Sequence, residues 1–267
     1  TYYLNHYYFI SLVAFILIFL PAHRYCSLDV LRRPSLKLQQ VPVWTINILR
    51  FQLAIVYLSA GVAKLNPDWL FRAMPMKTWL AAHMHWPVIG SLLAKPWVAF
   101  VGSWFGAFYD LSIVFIFLVK RLRWFGYFLV VVFHGLTAVL FQIGMFPYIM
   151  IGATLIFFDP AFHDRLIRKL TAWLQLGRHR VRPAALQAQL PLFTHRIWQK
   201  AAVGIFTAFV IFQIVWPVRF LAYPGNLFWN FEGYRFSWRV MLTDKAGTAF
   251  FKVTDPETEE TIHISNN

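Results

Sequence analysis

Two cations stand where they are costly. The run Val41 to Lys64 is apolar and of membrane-spanning length, yet it carries Arg50 and Lys64. Arg50, Tyr57 and Lys64 are spaced seven apart, and about 3.6 residues per turn puts them on one helical face. Ala54, Ala60 and Gly61 flank that stripe and leave room beside it. An ionisable side chain in a bilayer is expensive, so by default it faces the bundle interior and marks a functional site. Apolar burial disfavours the charged form of an amine, and a neutral amine can abstract a proton. Lys64 is therefore the leading candidate for a catalytic base. The plainer reading has Lys64 ending its helix and snorkelling to the headgroups.

The elements that must hold such an amine follow from composition. The chain has 267 residues, of which 59% are hydrophobic, 19% aromatic and 13% charged. Its apolar runs approach the ~20 residues needed to span. The expected fold is an α-helical polytopic membrane bundle of about six spans, at residues 4–20, 41–64, 96–119, 124–141, 146–158 and 201–216. Residues 66–86 are too polar to cross, but Trp69, Leu70, Met76, Trp79 and Leu80 suggest a helix lying in the interface.

A formal charge of +14 would suit nucleic acid in a soluble protein. Here the basic residues cluster in loops between apolar runs, and no nucleic-acid partner is expected. The loops after spans one, three and five carry four, three and eight Lys or Arg; those after two and four carry three and none. The positive-inside rule places the first set in the cytoplasm and the C-terminal tail outside. A bacterial inner membrane fits the basic cytoplasmic linker. The opening TYYLNHYYF has no basic n-region or cleavage site, and the chain is expected to be a piece of a longer protein. The single cysteine, Cys26, excludes an intrachain disulfide.

The tail changes character. Tyr234, Phe236, Trp238, Val240 and Leu242 alternate with Arg235, Ser237, Arg239 and Met241, a half-buried strand pattern. Asp244–Gly247 reads as a turn, TAFFKVT as a second strand, DPETEE as a turn and TIHIS as a third strand. The division expected is a transmembrane domain at 1–222 and the start of an extracytoplasmic β domain at 223–267.

Orientation brings buried polar groups into one half of the membrane. Asn5 and His6 start span one, Lys64 ends span two, His134 sits mid-to-outer in span four and Gln142 ends it. A histidine there can hydrogen-bond a substrate oxygen or hold the amine, or serve only as an interhelical hydrogen-bonder. Trp44, Tyr57, Trp69, Phe133, Phe141 and Phe146 are candidates to line a flat apolar cavity. Arg50 and Asp110, deeper and otherwise unpaired, are expected to form a structural ion pair. His83-Met84-His85 shows no third ligand, so no metal site is expected.

The segments NHYYF, PAHRYCSLD, YLSAGVAKLNPDWL, FHG with LFQIGMFPYIM, and GYRFSW, in this order, resemble the vitamin K-dependent γ-glutamyl carboxylase family. That family includes the bacterial HTTM-type (horizontally transferred transmembrane) proteins, and the resemblance runs over essentially the whole chain. It implies a membrane enzyme that oxygenates reduced vitamin K (the hydroquinone) with O₂ to the epoxide. The strong base so generated removes a γ-proton from a protein glutamate, and CO₂ adds to the carbanion. It further implies Lys64 as catalytic base, His6 as a catalytic residue that hydrogen-bonds in that chemistry and His134 as a quinone-pocket residue. Asn5, Tyr57 and Gln142, gathered with them, are further candidates to bind the cofactor. Animal members carry a second lysine where Ala63 stands here. The alternatives are a non-catalytic quinone- or lipid-binding module, or a transporter whose buried charges line a pathway; no internal repeat supports the transporter.

Overall fold

The computed structural model describes residues 3–38, 40–141, 143–174, 196–230, 232–242, 250–254, 256 and 258–265. In order the helices are α1 (Asn5–Ile18), α2 (Leu28–Arg32), α3 (Val43–Lys64), α4 (Pro67–Phe71), α5 (Met76–Ala81), α6 (Gly90–Leu93), α7 (Pro96–Leu118), α8 (Arg123–Leu140), α9 (Phe146–Ala153), α10 (Pro160–Trp173), α11 (Arg196–Val215) and α12 (Leu227–Asn230). Strands β1 (Phe250–Thr254) and β2 (Thr261–Ser265) pair antiparallel, with Lys252 opposite His263.

The fold is a helical membrane bundle. Among the described residues four helices are long and apolar enough to cross a membrane: Val43–Lys64, Pro96–Leu118, Lys120–Leu140 and Gln199–Ala222. The expectation of about six is corrected to four by that measure. The apolar helices Asn5–Ile18 and Phe146–Phe157 are shorter. At 1.5 Å per residue the first, 14 residues long, reaches roughly 21 Å, less than the ~30 Å of a hydrocarbon core.

The centre of the bundle is the pairing of α3 with α7. Gly61 makes it possible: a Cβ there would meet the Leu111 side chain at 2.8 Å and the Leu111 backbone nitrogen at 3.0 Å. Around this contact Leu53, Val56, Tyr57, Tyr109, Ile113, Phe117, Val130, Phe146 and Met150 form one buried core.

Asn66-Pro67 ends α3 and starts α4. The residue before a proline is biased to extended backbone, and Asn66 has φ −131° and ψ 157°. Its Oδ1 accepts from the Trp69 backbone N–H at 2.9 Å, capping α4. The region expected to hold one interfacial helix, 66–86, thus holds two short ones, α4 and α5. Trp69, Met76 and Leu80 turn inward and are buried with Ala99 and Ala107 of α7.

The tail departs from expectation in part. TIHIS and the last five residues of TAFFKVT form the two strands, but residues 234–242 are turn and coil, with positive φ at Phe236, Trp238 and Met241. The alternation there seats aromatics on α1 instead. Trp238 is wholly buried and stacks on Tyr8 with centroids 4.7 Å apart, while Phe236 meets Tyr8 edge-on at 5.0 Å. The expected Asp244–Gly247 turn and half of the basic linker, residues 175–195, lie outside the described residues. The linker's first part forms the exposed helix α10, which loop composition had hidden.

Candidate active site

Lys64 is the last residue of α3 and is 5% exposed. Its Nζ donates to Asp110 Oδ2 at 2.6 Å, with both side chains 6% exposed. The Ala60 carbonyl accepts from the same nitrogen at 3.5 Å, and the Trp69 ring centroid lies 5.4 Å away. Trp69 is itself pinned, its Nε1–H donating to the Ser103 carbonyl of α7 at 2.7 Å. The amine is therefore withdrawn from solvent into the protein interior.

The Asp110 partner corrects the expected Arg50–Asp110 pair. Arg50 instead donates from Nε to the Ile156 carbonyl at 3.1 Å and from Nη1 to Asn47 Oδ1 at 3.4 Å. The reason is register. Arg50 and Lys64 are fourteen residues apart on α3, roughly 21 Å along the axis. The Gly61–Leu111 contact fixes Asp110 beside the far end of α3. The first fourteen residues of α7 consequently project past Lys64, and α4 and α5 pack on that overhang. Counting depth from spans of equal extent missed this.

Lys64 and Asp110 face a cavity of about 250 Å³. Its walls come from α3 (Val56, Tyr57, Ala60), α4–α5 (Trp69, Met76, Leu80), α7 (Val101, Gly102, Phe105, Gly106), α8 (Phe133, His134, Leu136, Thr137, Leu140), the turn into α9 and the tail residues Val240 and Met241. On one side lie the second polar contacts: Tyr57 Oη is 3.0 Å from His134 Nε2, and both residues are buried. The Thr137 hydroxyl donates to the His134 carbonyl at 3.0 Å. Tyr109 stacks on Phe133 with centroids 4.0 Å apart and closes the space behind His134.

Of the aromatics expected around a flat cavity, Tyr57, Trp69, Phe133, Phe141 and Phe146 line it. Trp44 does not, packing on Phe206 at 5.2 Å. His6 is buried but is not among the lining residues. Its ring lies against Tyr7 and against the turn at Gly144, between the lining residues Ile143 and Phe146. Asn5 is likewise off the wall, its Oδ1 accepting from the Tyr3 hydroxyl at 2.8 Å. Burial pushes the Tyr3 phenol above its usual range, which keeps it a donor to Asn5. Gln142 lies outside the described residues. His83 of the H-x-H places Nδ1 2.9 Å from the Trp79 carbonyl.

Sequence reasoning missed Asp110 as the partner of Lys64. The signal was present, since Asp110 stands alone among acids in its span and a buried amine needs a carboxylate.

The cavity is suited to a flat apolar ring bearing hydroxyls, because its walls are aromatic and aliphatic with the polar groups gathered on α3, α7 and α8. No solved structure matches the chain. The family description "HTTM domain" matches residues 1–162, which contain every residue of the Lys64–Asp110 and Tyr57–His134 pairs. The description "Vitamin K-dependent gamma-carboxylase, lumenal domain" matches residues 198–267. With most of its length covered in this order, the chain belongs to the HTTM and vitamin K-dependent γ-carboxylase family.

Proposed function

We propose that the cavity takes the hydroquinone ring of reduced vitamin K and that Lys64 and Asp110 act together as the base that deprotonates it. The observation that carries this is the buried amine–carboxylate contact of 2.6 Å on the wall of an aromatic cavity. Proton transfer within the pair turns ammonium and carboxylate into amine and carboxylic acid. The amine then accepts the hydroxyl proton of the bound ring. Tyr57 and His134 hydrogen-bond the ring oxygens, and the aromatic walls keep water from the reacting atoms. O₂ and the deprotonated ring supply the strong base, with the epoxide as the quinone product. That base takes the γ-proton of a glutamate on a protein substrate, to which CO₂ adds. His6 and Asn5, behind the wall at Gly144 and Tyr3, act as positioning residues.

The loop cations orient this end of α3 toward the outside. The tail from residue 223 then begins an extracytoplasmic domain, in keeping with a bacterial inner membrane.

The test is direct. Purified protein given vitamin K hydroquinone, O₂ and a glutamate peptide is assayed for the epoxide and for carboxylated product. Epoxide that disappears in Lys64→Ala supports the assignment, and full epoxidation in that variant rejects Lys64 as base. Quinone binding with no epoxide in wild-type protein favours the non-catalytic quinone-binding module.

A further inference from the structure

Helix α10 sorts its side chains by chemistry, yet buries none of its residues. At about 100° per residue, Phe162, Leu166, Ile167, Leu170 and Trp173 fall within one arc of roughly 140°. His163 shares that arc but belongs to the first turn, where its Nε2 lies 3.1 Å from the Leu155 carbonyl oxygen. Arg165, Arg168 and Lys169 occupy the remaining arc.

The start of the helix is fixed at the level where a span ends. Asp159, the residue before α10, accepts from Arg123 Nη1 at 2.9 Å, and Arg123 opens α8 within the span Lys120–Leu140. Phe162 packs on Phe158 and Trp124, with centroids 4.7 and 5.6 Å apart. The Tyr25 hydroxyl donates to Asp164 Oδ1 at 3.0 Å, which ties down the acid of the helix. Beyond these contacts the cover is lost. Leu170 is 48%, Trp173 79% and Leu174 54% exposed, and Arg165, Arg168 and Lys169 are exposed as well.

Two features select the occupant of the open face. Its apolar stripe continues from aromatic packing at a span end, and a helix with Trp, Phe and Leu on one side and Lys and Arg on the other suits the boundary between headgroups and acyl chains. The cations complement a negative surface, and Lys120 and Arg121 stand exposed at the same span end. We infer that α10 lies in the plane of the membrane surface, with Leu170, Trp173 and Leu174 among the acyl chains and Arg165, Arg168 and Lys169 binding the headgroups of anionic phospholipids. None of these residues lines the Lys64 cavity, so the lipid site stands independently of what that cavity binds.

The test uses the full chain in nanodiscs of mixed phosphatidylglycerol and phosphatidylcholine. Cys26, an exposed thiol, is replaced by serine, and one nitrobenzoxadiazole fluorophore is attached at Leu170→Cys or, on the polar arc, at Ala172→Cys. Every substituted position is exposed, so the bundle is left intact. Quenching is read with either lipid carrying a doxyl group high on its acyl chain. Strong quenching at Leu170→Cys and little at Ala172→Cys is expected, with phosphatidylglycerol about threefold more effective than phosphatidylcholine. Combining Arg165→Gln, Arg168→Gln and Lys169→Gln should cut that preference to about half or less, with Leu170→Cys still in contact with lipid.

Equal, weak quenching at both positions would mean that the helix stands off the bilayer. A fluorophore at Leu170→Cys with blue-shifted emission but no quenching would show the face covered by another part of the chain or by a second copy. Either result overturns the inference. So does quenching without preference for phosphatidylglycerol, or a preference that the three Gln substitutions leave unchanged.

Discussion

Asp110 Oδ2 lies 2.6 Å from Lys64 Nζ across the α3–α7 contact, and both side chains are withdrawn from the surface. This makes the lysine one half of a charge-compensated unit. Each group's chemistry depends on the other.

Removing the carboxylate strands the amine. Asp110→Ala is expected to lower stability in detergent by about 3–5 kcal/mol, the usual cost of breaking a buried pair from one side. Lys64→Met combined with Asp110→Leu should recover most of it. A double-mutant cycle read by thermal melting would show strong coupling of Asp110 to Lys64 and none to Arg50. Coupling to Arg50 instead would refute the register described here.

Tyr57 and His134 share a 3.0 Å hydrogen bond in the same wall. Tyr57→Phe leaves the ring volume and strands one imidazole nitrogen, a loss of about 1–3 kcal/mol. Under the proposed function it should raise KM for the hydroquinone more than it lowers kcat, because the phenol orients the substrate and does not carry the proton. A fall in kcat alone would give Tyr57 a different role.

Gly61 sets the distance between Lys64 and Asp110. Gly61→Val drives atoms into Leu111 and is expected to cost about 1–3 kcal/mol as overpacking. Leu111→Ala in the same chain makes room and should restore part of both the melting temperature and the epoxidation. Failure of that rescue would place the effect of Gly61 elsewhere.

Trp238 anchors the tail on α1. Trp238→Ala removes a wholly buried indole and is expected to destabilise by about 3–5 kcal/mol. Limited proteolysis should then cleave between residues 223 and 242 in the variant and spare that stretch in the wild type. Equal cleavage in both would show that the stacking on Tyr8 contributes little.

Much of this was legible in the chain. The heptad Arg50–Tyr57–Lys64 placed Tyr57 and Lys64 on one face, and both line the cavity with His134. Pattern gave the helices because apolar periodicity reports burial directly. It failed where the answer depended on how one helix is offset from another. Spacing along α3 and α7 cannot tell that Leu111 meets Gly61, so Asp110 was assigned to the wrong cation. His6 was gathered by depth with Lys64, yet depth does not say which side of a wall a ring is on. In residues 234–242 the alternation was real but served packing against Tyr8 and Phe9, since aromatic burial outweighs the local β preference.

Because α3 stops where α7 has barely passed its midpoint, the amine sits over a helix terminus. The C-terminal end of a helix is its negative pole, and the Ala60 oxygen, one turn before the end of α3, lies 3.5 Å from Nζ. Main-chain atoms thus add to what holds a cation at this depth, whatever side chain replaces Asp110. Transplanting the lysine one turn earlier would forfeit that contribution along with the carboxylate, so the Asn66-Pro67 that halts the helix helps to set where Lys64 meets Asp110.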